Sequence, residues 1–241
     1  MAVAPVRRPL ADGSWHNGAA KAGGRGAGTI THLYLVRHGE SLSNTEHRHC
    51  GRPPGPPLTA RGRLQAAAAA TILSGFTPPP SVVVSSPLLR ALETAQALAG
   101  RMGASISVRH DLREVDFGAW EGLDHADLAD VPGYHAYHRD PEGHPPPGGE
   151  RLSDIRVRVT RCLETIAGEH AGRAVAVFSH YDPMVAFYLA VVGGDYSAAP
   201  DLSLSNGAIA RFEHDGGRWR FVGVDRRAAL AGAEERLEAG P

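Results

Sequence analysis

The sequence predicts a single α/β domain, a three-layer α/β/α sandwich around a mostly parallel sheet, with an antiparallel edge strand or hairpin near the C-terminus. Three observations predict it. Short, apolar, β-prone runs alternate with longer helical patterns, as in a parallel sheet covered on both faces and wound by right-handed crossovers. That alternation breaks late, where Ala208 to Phe212 and Trp219 to Val224 flank Asp215-Gly216-Gly217 in the manner of a hairpin. Finally, 241 residues, 42% hydrophobic and 21% charged, suffice for one substantial core.

Residues 1–30 are rich in Gly, Ala and Pro without sustained periodicity, so they cannot bury enough apolar surface to offset ordering entropy and read as a flexible extension. The folded domain, 31–225, opens with the run Thr31 to Val36, expected to be a buried parallel strand, and the polar cluster Arg37 to Asn44 follows at its carboxyl end. Four prolines between Cys50 and Pro57 exclude helix and central strand there. Thr59 caps a helix that runs to about Leu73, and Pro78 to Pro80 end it before a strand at Ser81 to Val84. Ser85-Ser86-Pro87 starts the next helix, since Pro suits the first helical position.

Ile106 to Val108 reads as a short strand, Asp111 to Gly122 as a loop, and the Pro-rich and His-rich stretch to Glu150 as irregular. An amphipathic helix over Ser153 to Glu169, a strand over Ala174 to Phe178 and a helix from Pro183 to about Val192 complete the alternation. Residues 226–241 form a C-terminal tail, either a peripheral helix or frayed.

A formal charge of -1 gives no global basic field, so nucleic acid and anionic membranes are not expected partners. Two cysteines, Cys50 and Cys162, make neither a disulfide framework nor a cysteine zinc site. No apolar run approaches the roughly 20 residues needed to span a bilayer, and the expected compartment is the cytoplasm. His47, His49 and Cys50 lie too close in sequence to complete a tetrahedral metal site without further partners, and His125, His135, His138 and His144 are expected to be solvated.

In open α/β sheets ligands bind beyond the carboxyl ends of the strands, and both Arg37-His38 and Ser179-His180 follow a predicted strand. A neutral histidine nitrogen whose partner nitrogen donates to a fixed acceptor can attack phosphorus. The charge on a transferring phosphoryl group calls for cationic donors around it; Arg37, Arg90 and a protonated His180 could supply them. The leaving oxygen needs a proton, for which Glu114 is the candidate, with Asp116 and Glu121 open as neighbours.

Arg37-His38-Gly39-Glu40-Ser41 with Asn44, Pro57-Leu58-Thr59 with Gly62 and Gln65, and Ser85-Ser86-Pro87 with Arg90 and Glu93 resemble the histidine phosphatase superfamily, whose members include the phosphoglycerate mutases. Leu112-Arg113-Glu114, Pro147-Gly148-Gly149-Glu150 and Ser179-His180 continue the pattern in family order. The resemblance implies a phosphoglycerate mutase-like fold, transient phosphorylation of His38, phosphate held by Arg37, Arg90 and His180, and proton transfer by Glu114. It places Asn44 and Ser41 near phosphate, and Cys50 and Gly51 on a substrate-facing loop. It implies no metal or organic cofactor; the expected partner is a small phosphorylated molecule, with a homodimer left open.

The mutase branch typically places a Tyr soon after the catalytic Glu and carries a longer insert with Lys. Here Glu114 is followed by Val115-Asp116-Phe117-Gly118, and no Lys occurs between Glu114 and Glu150, which favours a phosphomonoesterase of the bacterial phosphatase branch over phosphoglycerate mutase-type phosphotransfer. A catalytically silent phospho-ligand binding module is a third reading. Two departures from the family pattern stand out: Tyr181 occupies the usual Gly position after the second histidine, where it either turns away or narrows the pocket, and Gly55 replaces a common Asp.

Overall fold

The computed structural model describes residues 29–196 and 202–232. The expected extension, 1–30, lies outside the described residues but for its last two, as does the tail from 233 onward. The strands are β1 (Thr31–Arg37), β2 (Val82–Ser85), β3 (Ile106–Val108), β4 (Ala174–Ser179), β5 (Ile209–His214) and β6 (Trp219–Asp225). They form one sheet in the order β3-β2-β4-β1-β5-β6. The first four are mutually parallel, whereas β5 runs antiparallel to β1 and β6 to β5, so the expected hairpin forms that edge.

Strand alternation sorts the core into two layers. Leu33, Leu35, Val175 and Val177 face one side, against α6 (Leu152–Glu169) and α7 (Tyr181–Val192). Tyr34, Val36, Ala174, Ala176 and Phe178 face the other, against α2 (Ala60–Ser74) and α3 (Leu89–Met102). The alanine run of α2 buries Ala66, Ala69 and Ala70, small side chains that let this helix lie close to its neighbours. Thr59 caps it, its hydroxyl accepting from the Gly62 N–H at 3.0 Å.

Two local expectations are corrected. Helix α3 begins at Leu89 rather than Pro87, because the Leu88 N–H is turned onto the Ser86 hydroxyl (3.3 Å) and the Leu89 N–H onto the Pro54 carbonyl (2.7 Å), keeping the chain extended through Leu88. The stretch before Glu150 is not wholly irregular. It contains the single turns α4 (His125–Leu128) and α5 (Tyr134–Tyr137), the latter burying Tyr134 and Tyr137 edge-on against Trp120 at 5.4 and 5.6 Å. Another short turn, α1 (Leu42–Thr45), follows β1. Among the described residues no helix is long and apolar enough to cross a membrane.

Candidate active site

Three adjacent parallel strands deliver their carboxyl ends to one place. The ladder continues past them, with the His38 N–H donating to the Ser179 carbonyl (3.1 Å) and the Ser86 N–H to the Phe178 carbonyl (2.9 Å), so His38, His180 and Ser86 sit side by side. The rings of His38 and His180 are 5.1 Å apart.

His38 is buried, with Nδ1 2.7 Å from the Gly39 carbonyl. A carbonyl only accepts, so Nδ1 carries the proton and Nε2 keeps a lone pair. Arg90 Nε donates to that Nε2 at 3.0 Å. Burial, then Arg90 and Arg37, push the His38 pKa well below the ordinary histidine value, so the ring is neutral at physiological pH.

Arg90, itself buried, also donates from Nη2 to the Cys50 carbonyl (2.8 Å). Arg37 donates from Nη1 to the Leu204 carbonyl (2.5 Å). His180 Nε2 lies 2.7 Å from the Ser86 hydroxyl. Each of the three keeps a buried nitrogen without a partner: Arg90 Nη1, Arg37 Nε and His180 Nδ1. Unsatisfied buried polar atoms are costly, and two guanidinium donors with an imidazole nitrogen, grouped about one histidine, are chemically suited to an anion. Burial, with Arg90, His38 and Arg37 beside it, lowers the His180 pKa well below the usual value, so the protonated form expected beside phosphate is disfavoured in the protein alone.

The three carboxyl groups left open by the sequence separate cleanly. Glu121 accepts from the N–H groups of Gly51 (2.8 and 3.1 Å) and Arg52 (3.0 Å), pinning the proline-rich loop. Asp116 accepts from the Gly118 N–H (2.9 Å) and from Arg52 (3.0 Å); burial would raise its pKa, but these donors hold it below the ordinary range. Glu114 is buried, and burial raises its pKa even against Arg90, the Val115 N–H and Arg37. It alone combines burial, a raised pKa and closeness to both pocket arginines.

Asn44 faces the loop with its carbonyl oxygen, which accepts from the Ser41 N–H and hydroxyl (both 3.0 Å) and from Asn206 Nδ2 (3.2 Å). Ser41 is fully buried with its hydroxyl spent on Ser43 and Asn44, which leaves it to build the loop. Gly51 packs so close to the Val115 carbonyl that a Cβ would lie 1.8 Å from that oxygen, so glycine is a backbone requirement there. The Cys50 thiol is half-buried, and burial raises its pKa. Gly55, at φ +64°, lies where a Cβ would reach 3.0 Å from Arg90 Nη1. Tyr181 turns its ring under Arg37, whose guanidinium carbon is 5.3 Å from the ring centroid.

Sequence reasoning missed two residues. Asn206 donates both to the His38 carbonyl (3.1 Å) and to Asn44, although Asn206-Gly207 carries only the signal of a turn. Asp182, on the first turn of α7, is buried with the Tyr196 hydroxyl 3.3 Å from it, and burial together with Glu114 raises its pKa. Its only signal in the sequence is its place two residues after His180. Among the described residues no group of His, Cys, Asp or Glu has the spacing to hold a metal ion.

The pocket gathers buried cationic side chains around one neutral histidine at the carboxyl ends of a parallel sheet, and comparison with known proteins assigns the chain a family. Residues 33–226 match the histidine phosphatase superfamily (branch 1), and the chain belongs to that family. It is 38% identical over 203 residues to a bifunctional protein of Mycobacterium tuberculosis, covering 78% of this chain and 52% of the relative, so this chain spans about half that protein's length. It is 32% identical over 172 residues to a glucosyl-3-phosphoglycerate phosphatase of Mycolicibacterium vanbaalenii, covering 68% of this chain and 75% of the relative. Among solved structures, a mycobacterial glucosyl-3-phosphoglycerate phosphatase in complex with VO3 superposes with a TM-score of 0.70 at 32% identity, covering 80% of this chain and 97% of that one.

Proposed function

We propose that the protein hydrolyses small phosphate monoesters through a phosphohistidine on His38. The observation that carries this reading is the locked tautomer: Nδ1 donates to the Gly39 carbonyl, leaving Nε2 as a buried lone pair beside Arg90. In the first step Nε2 attacks phosphorus and the bond to the leaving oxygen breaks. Protonated Glu114 gives that oxygen its proton, while Arg37, Arg90 and His180 direct their free N–H groups at the phosphoryl oxygens. An arriving phosphate dianion favours proton uptake by His180. In the second step the Glu114 carboxylate takes a proton from water as the water oxygen bonds to phosphorus, the P–N bond breaks, and inorganic phosphate leaves with His38 restored.

Hydrolysis rather than return of phosphate to the substrate is supported by the phosphatase relatives and by the segment after Glu114, which lacks the mutase features. The silent binding module drew its support from Tyr181, and that ring packs under Arg37. A substrate labelled in its phosphate, quenched with base during turnover, should leave acid-labile label on the protein. Label that persists in His38→Ala overturns the nucleophile, and interconversion of phosphoglycerates without phosphate release overturns the hydrolase.

A further inference from the structure

Between β3 and α4 the chain passes Glu114 through a segment with no ladder to hold it, yet four consecutive carbonyls are taken by side chains. Ser179, just before His180, donates to the Leu112 carbonyl at 2.9 Å. The other three go to a single residue of α6: Arg158 Nη1 donates to the carbonyls of Asp111 (2.7 Å) and Arg113 (2.8 Å), and Nη2 to that of Glu114 (3.1 Å). Its remaining donors form a fork on Glu150, Nε to Oε1 at 2.8 Å and Nη2 to Oε2 at 2.9 Å. All five N–H groups of a guanidinium are thereby used, with the Arg158 side chain only 11% exposed.

Glu150 completes the clasp by accepting from the Asp116 N–H (2.9 Å) and from Arg113 (3.2 Å). On the opposite side Gly51 presses against the Val115 carbonyl. Glu114 thus sits on a backbone gripped immediately before and after it, with its own Oε1 accepting from the Val115 N–H at 3.0 Å. Proton transfer tolerates little displacement, and about 1 Å of misplacement can cost about 100-fold. The pairing has an electrostatic consequence as well. A guanidinium beside Glu114 favours its carboxylate, and Arg158 does pull the Glu114 pKa down, as the smallest of the influences on it; Glu150 opposite offsets part of that pull.

We propose that Arg158, held by Glu150, is a positioning residue that sets Glu114 for its two proton transfers. This rests on the hydrolase reading above. The test compares an alkyl phosphate, whose leaving oxygen needs a proton, with 2,4-dinitrophenyl phosphate, whose leaving group departs without one. Arg158→Lys keeps the charge, but three donors on one nitrogen cannot reach three carbonyls and a carboxylate. Its kcat/KM, which reports the step in which the leaving group departs and not the later attack of water, should fall at least about tenfold more on the alkyl phosphate than on the dinitrophenyl ester. Glu150→Gln exposes the guanidinium charge and should move the alkaline limb of the alkyl phosphate pH profile to lower pH.

Equal losses on the two substrates in Arg158→Lys, or an unmoved limb in Glu150→Gln, overturn the assignment. Where Arg158→Lys does not fold, the limb in Glu150→Gln decides alone. A native protein that releases phosphate from neither substrate overturns the hydrolase reading itself, whereas a native protein active on both confines the failure to Arg158.

Discussion

Two groups of histidines lie in this molecule at similar ring spacings, and they differ in nearly everything else. His38 and His180 are 5.1 Å apart at the ends of β1 and β4. His49 lies 4.7 Å from His125 and 6.2 Å from His138, beneath α4 and α5. Burial lowers the pKa in both groups. Around His38 and His180, however, the remaining neighbours are arginines that retain unpartnered donors. His49 stacks 4.3 Å from Phe117, has Tyr134 Oη 3.1 Å from its Nε2, and is surrounded by other rings. Proximity and a depressed pKa are therefore poor markers of a site. Cations with unsatisfied donors facing a lone pair are good ones.

The largest expected effect tests the cationic half of that contrast. Arg90→Ala removes the partner of His38 Nε2 and the free Nη1 together, and should lower kcat/KM for any phosphate monoester by about 10³-fold or more. Arg90→Lys should recover little, since one ammonium cannot serve His38, the Cys50 carbonyl and phosphate at once. Steady-state kinetics on folded variants checks both, and near-native activity in Arg90→Ala would place the anion elsewhere.

Glu114→Gln comes next. Glu114 must be protonated to serve the leaving oxygen, so turnover of an alkyl phosphate should fall as pH rises through its pKa, which burial holds above the usual carboxylate range. On the acid side His38 itself stays neutral, and so competent to attack, until well below 6.5. The Gln variant should lose about 10²- to 10⁴-fold on the alkyl phosphate and its alkaline limb with it. A pH profile in which that limb survives would move the acid role to another group, with Asp182 the next buried carboxyl near Glu114.

The sequence made the pocket legible because its residues lie at the ends of strands with strong patterns: β1 and β4 position Arg37, His38 and His180 by periodicity alone. Chemistry alone left Glu114 the candidate beside two neighbouring carboxyl groups, and the family resemblance is what singled it out. What separates it from Asp116 and Glu121 is which backbone N–H groups those two serve, and that depends on pairing across roughly 70 positions, between Gly51 and Glu121. Asn206 was hidden for the same reason, since its partners His38 and Asn44 lie at the other end of the chain. The late start of α3 follows from a bond to Pro54 that helix-start rules do not contain.

The smallest effect tests the other half of the contrast. His49→Phe keeps a ring against Phe117 but leaves the Tyr134 hydroxyl without its partner, which should cost about 1 kcal/mol of stability at neutral pH. The native histidine carries a different liability. Its folded pKa is lowered to about 4 by burial and by His125 and His138, whereas an unfolded histidine titrates near 6.5. The unfolded chain therefore binds the extra proton first, and the stability that neutral His49 provides is lost as pH falls from about 6.5 toward 4. Phenylalanine has no proton to take up, so in denaturant melts the gap of about 1 kcal/mol should close as pH falls below about 6 and then reverse in favour of the variant toward pH 4, while kcat stays within about twofold because His49 adjoins Cys50, whose carbonyl rather than its side chain meets Arg90. A gap that stays constant with pH would mean His49 does not titrate as a buried ring. A fall in kcat matching that of Arg90→Ala would mean the two histidine groups act as one site.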